Sequence, residues 1–271
     1  MDDRAFATES AAQEATRLWI RQYLPAPDAP VRLVCFPHAG GSATYYLPVA
    51  RALSPSVDVL AVQYPGRQDR MREPCVESLR ELADLVAEQV LPWTGRPFAL
   101  FGHSMGATVA YEVAKRLERE GREPLRLFAS ARRAPSTHRD ETMHLRSDAQ
   151  LLEDLRRTSG TDPRLFEDEG LLQLVLRALR ADYKAAATYR HTPGDGPEPA
   201  CPITALIGDR DPKASVDEAR PWSAHTRSAF DLRVFEGGHF FLEDHASAVI
   251  DLIAEGISEG RRRTAASGGG R

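Results

Sequence analysis

Five residues constrain this chain more than any others: Gly102-His103-Ser104-Met105-Gly106, set between the apolar run FALF and the helical stretch ATVAYEVAKRLERE. A G-x-S-x-G motif where a strand gives way to a helix predicts a sharp turn with the serine at its tip. Both glycines are required sterically, because side chains two residues either side of the serine would collide with the adjoining strand and helix. The helix starting there aims its amide dipoles at the hydroxyl and favours negative charge developing beside it. Such a turn needs a sheet to stand on, so the next question is whether the rest of the chain supplies one.

It does. VRLVCF (31–36), VDVLAVQ (57–63), FALFG (98–102), LRLFAS (125–130), ITALIG (203–208) and FDLRVFE (230–236) are short apolar runs, most without in–out alternation. Strands of that kind are covered on both faces. Helical patterns at 46–53, 76–92, 105–120, 215–226 and 246–259 separate them. The alternation predicts an α/β architecture, a mostly parallel central sheet with helices on both faces. Core segments at 31–131 and 201–260 enclose a stretch, 132–200, that contains no strand pattern. Two helix-period segments, 147–158 and 166–190, are joined there by the breaker SGTDP. An all-helical insertion between two strands is expected to lie as a lid over the carboxyl edge of the sheet, where open α/β sheets bind ligands. Residues 1–30 read as an extension outside this frame, and 261–271, RRRTAASGGGR, as an unstructured tail.

A serine hydroxyl is a weak nucleophile until a base takes its proton. Among eight histidines, His239 in GGHFF directly follows the last strand run, and the two glycines let its loop bend toward Ser104. An acid must hold that imidazole, and the chain order Ser, Asp, His puts it between the two. The strand ITALIG ends in Gly208-Asp209-Arg210-Asp211-Pro212, and Asp211 is the choice because the following proline stiffens its loop. Asp209 competes, with capping of the strand end as its alternative role. The backbone amides of Ala39, in His38-Ala39-Gly40-Gly41, and of Met105, directly after the nucleophile, are the expected oxyanion donors.

Composition narrows the partners. A formal net charge of −4 excludes a global attraction to nucleic acid or anionic membrane, and no apolar run reaches bilayer length. The acidic N-terminus has no signal pattern, and Cys35, Cys75 and Cys201 show no disulfide or metal spacing. The chain is therefore expected to be cytoplasmic and monomeric, with no metal and no cofactor.

FPHAGG, QYPGRQDR, FGHSMGATVAYEVA, GDRD and GGHFF, spread over residues 31 to 255, together resemble the type II thioesterases that accompany polyketide and nonribosomal peptide synthases. The resemblance implies an α/β-hydrolase fold with a helical lid. It also implies hydrolysis of acyl groups from the phosphopantetheine arm of acyl or peptidyl carrier proteins, clearing stalled units. Ser104, Asp211 and His239 match that family's triad motifs, and Ala39 and Met105 its oxyanion positions. The residues alone leave open a small-ester esterase or lipase, an acyltransferase or cyclising thioesterase, and a ligand receptor on the same fold. Two weaker expectations complete the reading. Leucines from Leu171 to Leu179 line an acyl channel or simply pack the lid, and Arg67, Arg70, Arg132 and Arg133 form a basic docking surface or are plain solvated arginines, with bracing of its own loop a further reading of Arg67.

Overall fold

The structure, a computed structural model, describes residues 16–158 and 169–268. Seven strands form one sheet: β1 Ile20–Arg21, β2 Arg32–Phe36, β3 Asp58–Val62, β4 Phe98–His103, β5 Leu127–Ser130, β6 Ile203–Gly208 and β7 Phe230–Phe235. Their spatial order is β1-β3-β2-β4-β5-β6-β7, with every pairing parallel except β1 against β3. All six runs expected as strands are strands. β3, β4, β5 and β6 are buried throughout, as the lack of alternation predicts, whereas the edge strand β7 exposes Val234.

Helices cover both faces. We label them α1 Leu47–Leu53, α2 Leu79–Val90, α3 Met105–Arg119, α4 Asp148–Thr158, α5 Glu169–Thr188 and α6 Ala246–Gly268. Alternate strand residues feed two separate cores. Val34, Phe36, Leu60, Leu100, Ala129 and Ile207 pack with α2 and α3, while Leu33, Cys35, Val59, Phe101 and Phe128 pack with α1 and α6. The period of two along each strand delivers one residue to each core in turn.

Four local features depart from the sequence expectation. Residues 16–30 are not outside the frame: Ile20 pairs with Val62 and Arg21 with Ala61, extending the sheet at its edge. The expected helix 215–226 is one α-helical turn, Val216–Ala219, followed by a 3-10 helix, Arg220–His225. Pro221 explains the change, since it has no N–H for an α-helical bond. The helix expected at 76–92 starts only after Ser78, whose hydroxyl accepts from the Glu81 amide at 3.4 Å. Finally, α6 runs on to Gly268 where a tail was expected from 261, and Arg263 donates to the Leu125 carbonyl at 3.0 Å. The breaker SGTDP and the start of the second inserted helix lie outside the described residues.

Between β5 and β6 the chain forms α4 and α5 and no strand among the described residues. Leu176 and Leu179 of α5 bury against Leu151 of α4. Leu174, Val175 and Ala178, on another face of α5, line a cavity of about 500 Å³ with His38, Gly40, Tyr45 and Arg67. One face of the helix packs and the other lines space.

Candidate active site

β4 ends at His103, α3 begins at Met105, and Ser104 alone makes the turn, with φ 54° and ψ −121°. That is a left-handed backbone for a residue with a side chain, strained by about 1–3 kcal/mol and held by its surroundings. The holding contacts are specific. The Ser104 amide donates to the Ser130 carbonyl of β5 at 2.8 Å, and the Ser104 carbonyl accepts from Ala107 at 3.0 Å. A Cβ on Gly102 would lie 2.2 Å from the Gly106 carbonyl oxygen, and one on Gly106 would lie 2.1 Å from that of Phe36. Only glycine fits at either place.

Three further elements converge on this serine. His239 follows β7, and its Nε2 is 2.9 Å from Ser104 Oγ. Its Nδ1 lies 3.0 and 2.9 Å from the two oxygens of Asp211, which follows β6. A carboxylate only accepts, so the Nδ1 proton belongs between His239 and Asp211, leaving Nε2 free to receive the Ser104 proton. Asp211 is itself held: its Oδ1 accepts from the amides of Lys213 at 2.8 Å and Ala214 at 3.3 Å. All three side chains are buried. Asp209 takes the other role considered for it, accepting from the Gly237 amide at 2.8 Å at the end of the strand.

The loop after β2 closes the fourth side. The Phe36 and Pro37 carbonyls touch the position of Gly106, so residues 36–37 lie against the start of α3. Met105 directly follows Ser104, and Ala39 stands two residues beyond Pro37 in a loop shaped by the turn between the His38 carbonyl and the Gly41 amide, 2.9 Å.

The structure also shows groups that the sequence reading passed over. His38, Tyr45, His103 and Phe240 form a ring cluster against His239, with the His103 and His239 centroids 5.3 Å apart. His103 does not point at the nucleophile; its Nδ1 pairs with Ser130 Oγ at 3.0 Å. Burial, then the neighbouring His239, Arg67 and Lys213, pushes His38 down to about 3, and burial holds His103 well below the ordinary imidazole range. Both rings are neutral at neutral pH, so His239 is not surrounded by competing cations. Lys213, two residues past Asp211, reaches Asp154 of α4 and Tyr183 of α5, both at 2.9 Å, tying the acid's loop to the inserted helices.

The arginines considered for docking are neither a basic surface nor solvated. Arg67, Arg70 and Arg133 are 7%, 4% and 4% exposed, and each is paired: Arg67 with Asp182, Arg70 with Glu73 at 2.6 Å, Arg133 with Glu141 at 2.7 Å. Arg132 is half-buried, donates to Thr108 Oγ1 at 3.1 Å, and is pushed down to about 10 by burial. Charge patterning cannot separate such structural arginines from surface ones.

One cluster among the described residues has ligand-type atoms within 4.8 Å of one another: His191, Glu198 and His225. The Ser136 amide donates to His225 Nε2 at 3.3 Å, and His225 Nδ1 faces Glu198 at 3.6 Å. The Tyr111 hydroxyl donates to the same carboxylate. These contacts tie His225 and Glu198 to Ser136 and Tyr111. Cys35 and Cys201 are buried free thiols, pushed up by burial, and Cys75 is a free thiol too.

The profile of the thioesterase domain family matches residues 31–256. The chain belongs to this thioesterase family. It is a thioester hydrolase, and the solved structures it resembles include type II thioesterases. The thioesterase PikA5 of Streptomyces venezuelae is 50% identical over 94% of this chain and 89% of its own. BorB, the type II thioesterase of the borrelidin cluster, superposes with a TM-score of 0.82 at 51% identity, covering 89% of this chain and 98% of BorB. RedJ, the thioesterase of the prodiginine pathway in Streptomyces coelicolor, gives 0.79 at 35% identity, with 87% and 94% covered. Among the described residues of this thioesterase, no helix is long and apolar enough to cross a membrane.

Proposed function

We propose that this thioesterase removes acyl groups from the phosphopantetheine arm of acyl or peptidyl carrier proteins, clearing stalled or aberrant units from a polyketide or nonribosomal peptide synthase. The observation that carries the reading is the unbroken hydrogen-bond chain from Ser104 through His239 to Asp211 at the head of α3. The names of its relatives, drawn from synthase pathways, supply the substrate class. The reading carries with it a monomer acting in the cytoplasm beside its synthase, needing no cofactor because the substrate brings the phosphopantetheine.

In this scheme Ser104 Oγ attacks the thioester carbonyl as His239 Nε2 takes its proton. The carbonyl oxygen becomes an oxyanion and accepts from the amides of Ala39 and Met105, while the dipole of α3 adds to its stabilisation. Asp211 balances the charge of the imidazolium. His239 then returns the proton to the departing sulfur, the C–S bond breaks, and the acyl group remains as an ester on Ser104. A water molecule gives a proton to His239 and attacks that ester; collapse releases the free acid and restores Ser104–OH. The helices α4 and α5 act as a lid, and the cavity beside Leu174, Val175 and Ala178 holds part of the substrate.

Intact-mass analysis of an acylated carrier protein tests this. Wild-type enzyme is expected to remove the acyl mass and Ser104→Ala to leave it in place. If neither acts on the carrier while wild type cleaves a small free ester, an esterase role replaces the one proposed.

A further inference from the structure

The helix α5 holds the oxyanion loop from across the site. The Gly40 amide donates to Asp182 Oδ2 at 2.7 Å. One turn earlier Leu179 covers the same residue: Gly40 has φ +75°, and a Cβ there would lie 2.9 Å from Leu179 Cδ1. The oxygen that receives the Gly40 amide also receives Arg67, in a buried ion pair. Arg67 in turn donates to the Pro65 carbonyl at 2.8 Å and lies 5.2 Å from the centroid of the Tyr64 ring. The Tyr64 hydroxyl reaches back to the Pro37 carbonyl at 3.4 Å. A closed circuit thus runs from Pro37 through Tyr64, Arg67 and Asp182 to Gly40, and Ala39 lies inside it.

A carboxylate buried this deeply is costly unless paired and hydrogen-bonded, and Arg67 supplies the pairing. What remains is the use of its second contact. The peptide unit joining Ala39 and Gly40 is planar, so fixing the Gly40 N–H fixes that plane. Only the two torsions of Ala39 then separate this anchor from the Ala39 N–H, and on its other side the chain runs through His38 to Pro37, whose carbonyl accepts from Tyr64. Displacement of an oxyanion donor by an ångström removes most of its effect, because its strength depends on being aimed before charge develops.

We propose that Asp182 is a positioning residue for the oxyanion hole, aiming the Ala39 amide through Gly40 with Arg67 holding the carboxylate in place. Because Asp182 stands on the inserted helix and not on the sheet, the hole is complete only while α5 lies against the loop. Lid position and catalytic competence are one event. The inference rests on the reading of Ala39 as an oxyanion donor in thioester hydrolysis.

The test uses full-length protein and two variants. Arg67→Met/Asp182→Leu removes both charges at similar volume, so neither is stranded. Asp182→Asn keeps one oxygen for the Gly40 amide. The readouts are kcat and KM on an acylated carrier protein, and affinity for two acyl-pantetheine analogues. A trifluoromethyl ketone turns tetrahedral on Ser104 and needs the oxyanion hole; a thioether does not. Loss of a whole donor costs about 100- to 1,000-fold, so the double variant, with its donor misaimed, is expected to lose about 10- to 100-fold in kcat and in ketone affinity together. Because Arg67 also lines the cavity, thioether affinity and KM change too, but by at least about fivefold less than ketone affinity and kcat, and Asp182→Asn, which leaves Arg67 in place, loses about three- to tenfold in kcat. Wild-type kcat in either folded variant, or equal loss of ketone and thioether affinity, overturns the proposal. A wild-type enzyme that leaves the carrier acylated overturns the functional reading instead, which the wild-type control reports separately.

Discussion

Replacing Asp211 by asparagine should be more damaging than its single-atom change suggests, because the surrounding donors decide which way the amide faces. Asp211 Oδ1 receives the amides of Lys213 at 2.8 Å and Ala214 at 3.3 Å. In Asp211→Asn the new side chain would keep its carbonyl oxygen on those two donors, since the reverse orientation sets an NH₂ against them and leaves buried donors unsatisfied, at about 1–3 kcal/mol each. Its NH₂ then meets His239 Nδ1, which must become the acceptor. The ring proton moves to Nε2 and points at Ser104 Oγ, 2.9 Å away, where the base should be. Two losses combine: a charge-assisted hydrogen bond to the imidazolium, about 1.5–3 kcal/mol, and the reversal of tautomer, about the 1–3 kcal/mol of turning the amide. Together they amount to roughly 2.5–6 kcal/mol, or about 10²- to 10⁴-fold in kcat at ~1.4 kcal/mol per tenfold. Asp211→Ala frees the ring to choose its tautomer and should retain at least as much activity. The assay is release of thiol from an acyl-pantetheine thioester, followed with a thiol reagent, on variants whose near-ultraviolet dichroism matches wild type. An Asp211→Asn protein retaining more than a tenth of wild-type kcat, or exceeding Asp211→Ala, would refute the reasoning.

Gly106→Ala puts a methyl group 2.1 Å from the Phe36 carbonyl oxygen, so β2 and α3 must part; soluble protein with a lowered melting temperature and kcat reduced more than tenfold is expected, and a wild-type melt would count against the elbow geometry. Leu174→Phe fills part of the 500 Å³ cavity and should shift acyl preference toward shorter chains, read as kcat/KM over a series of acyl lengths; an unchanged profile removes the cavity from the substrate path. Stability should fall as pH drops from about 6.5 toward 3, because the unfolded chain binds a proton that folded His38 refuses over that window. The slope is at most ~1.4 kcal/mol per pH unit for that group, before discounting for its partial exposure. His38→Gln should flatten the fall in urea melts, and parallel curves for the two proteins would show that His38 does not titrate this way.

Much of the site was legible in the sequence because its constraints are local. Gly102 and Gly106 are demanded by contacts within one turn and with the neighbouring strand, and the strand before and helix after them follow from the apolar pattern of their own residues. The six long strands were visible for the same reason. β1 was not: two residues have no periodicity, and Ile20 and Arg21 become a strand only because β3 presents an open edge. Asp211 and Asp209 stand two residues apart with equal chemistry, and the path of the chain beyond β6 assigned one to His239 and the other to Gly237. The arginines are the clearest case. A loop-bracing role for Arg67 could be raised from the sequence, but its partner Asp182 could not, because α5 brings it across 115 residues. Composition and spacing report what a residue can do, and they pointed to Ser104 as the candidate nucleophile, to its elbow and to the succession of strands and helices. Which distant groups share a buried contact depends on how the elements pack, and that decided which acid lies against His239 and which helix meets the loop at Gly40.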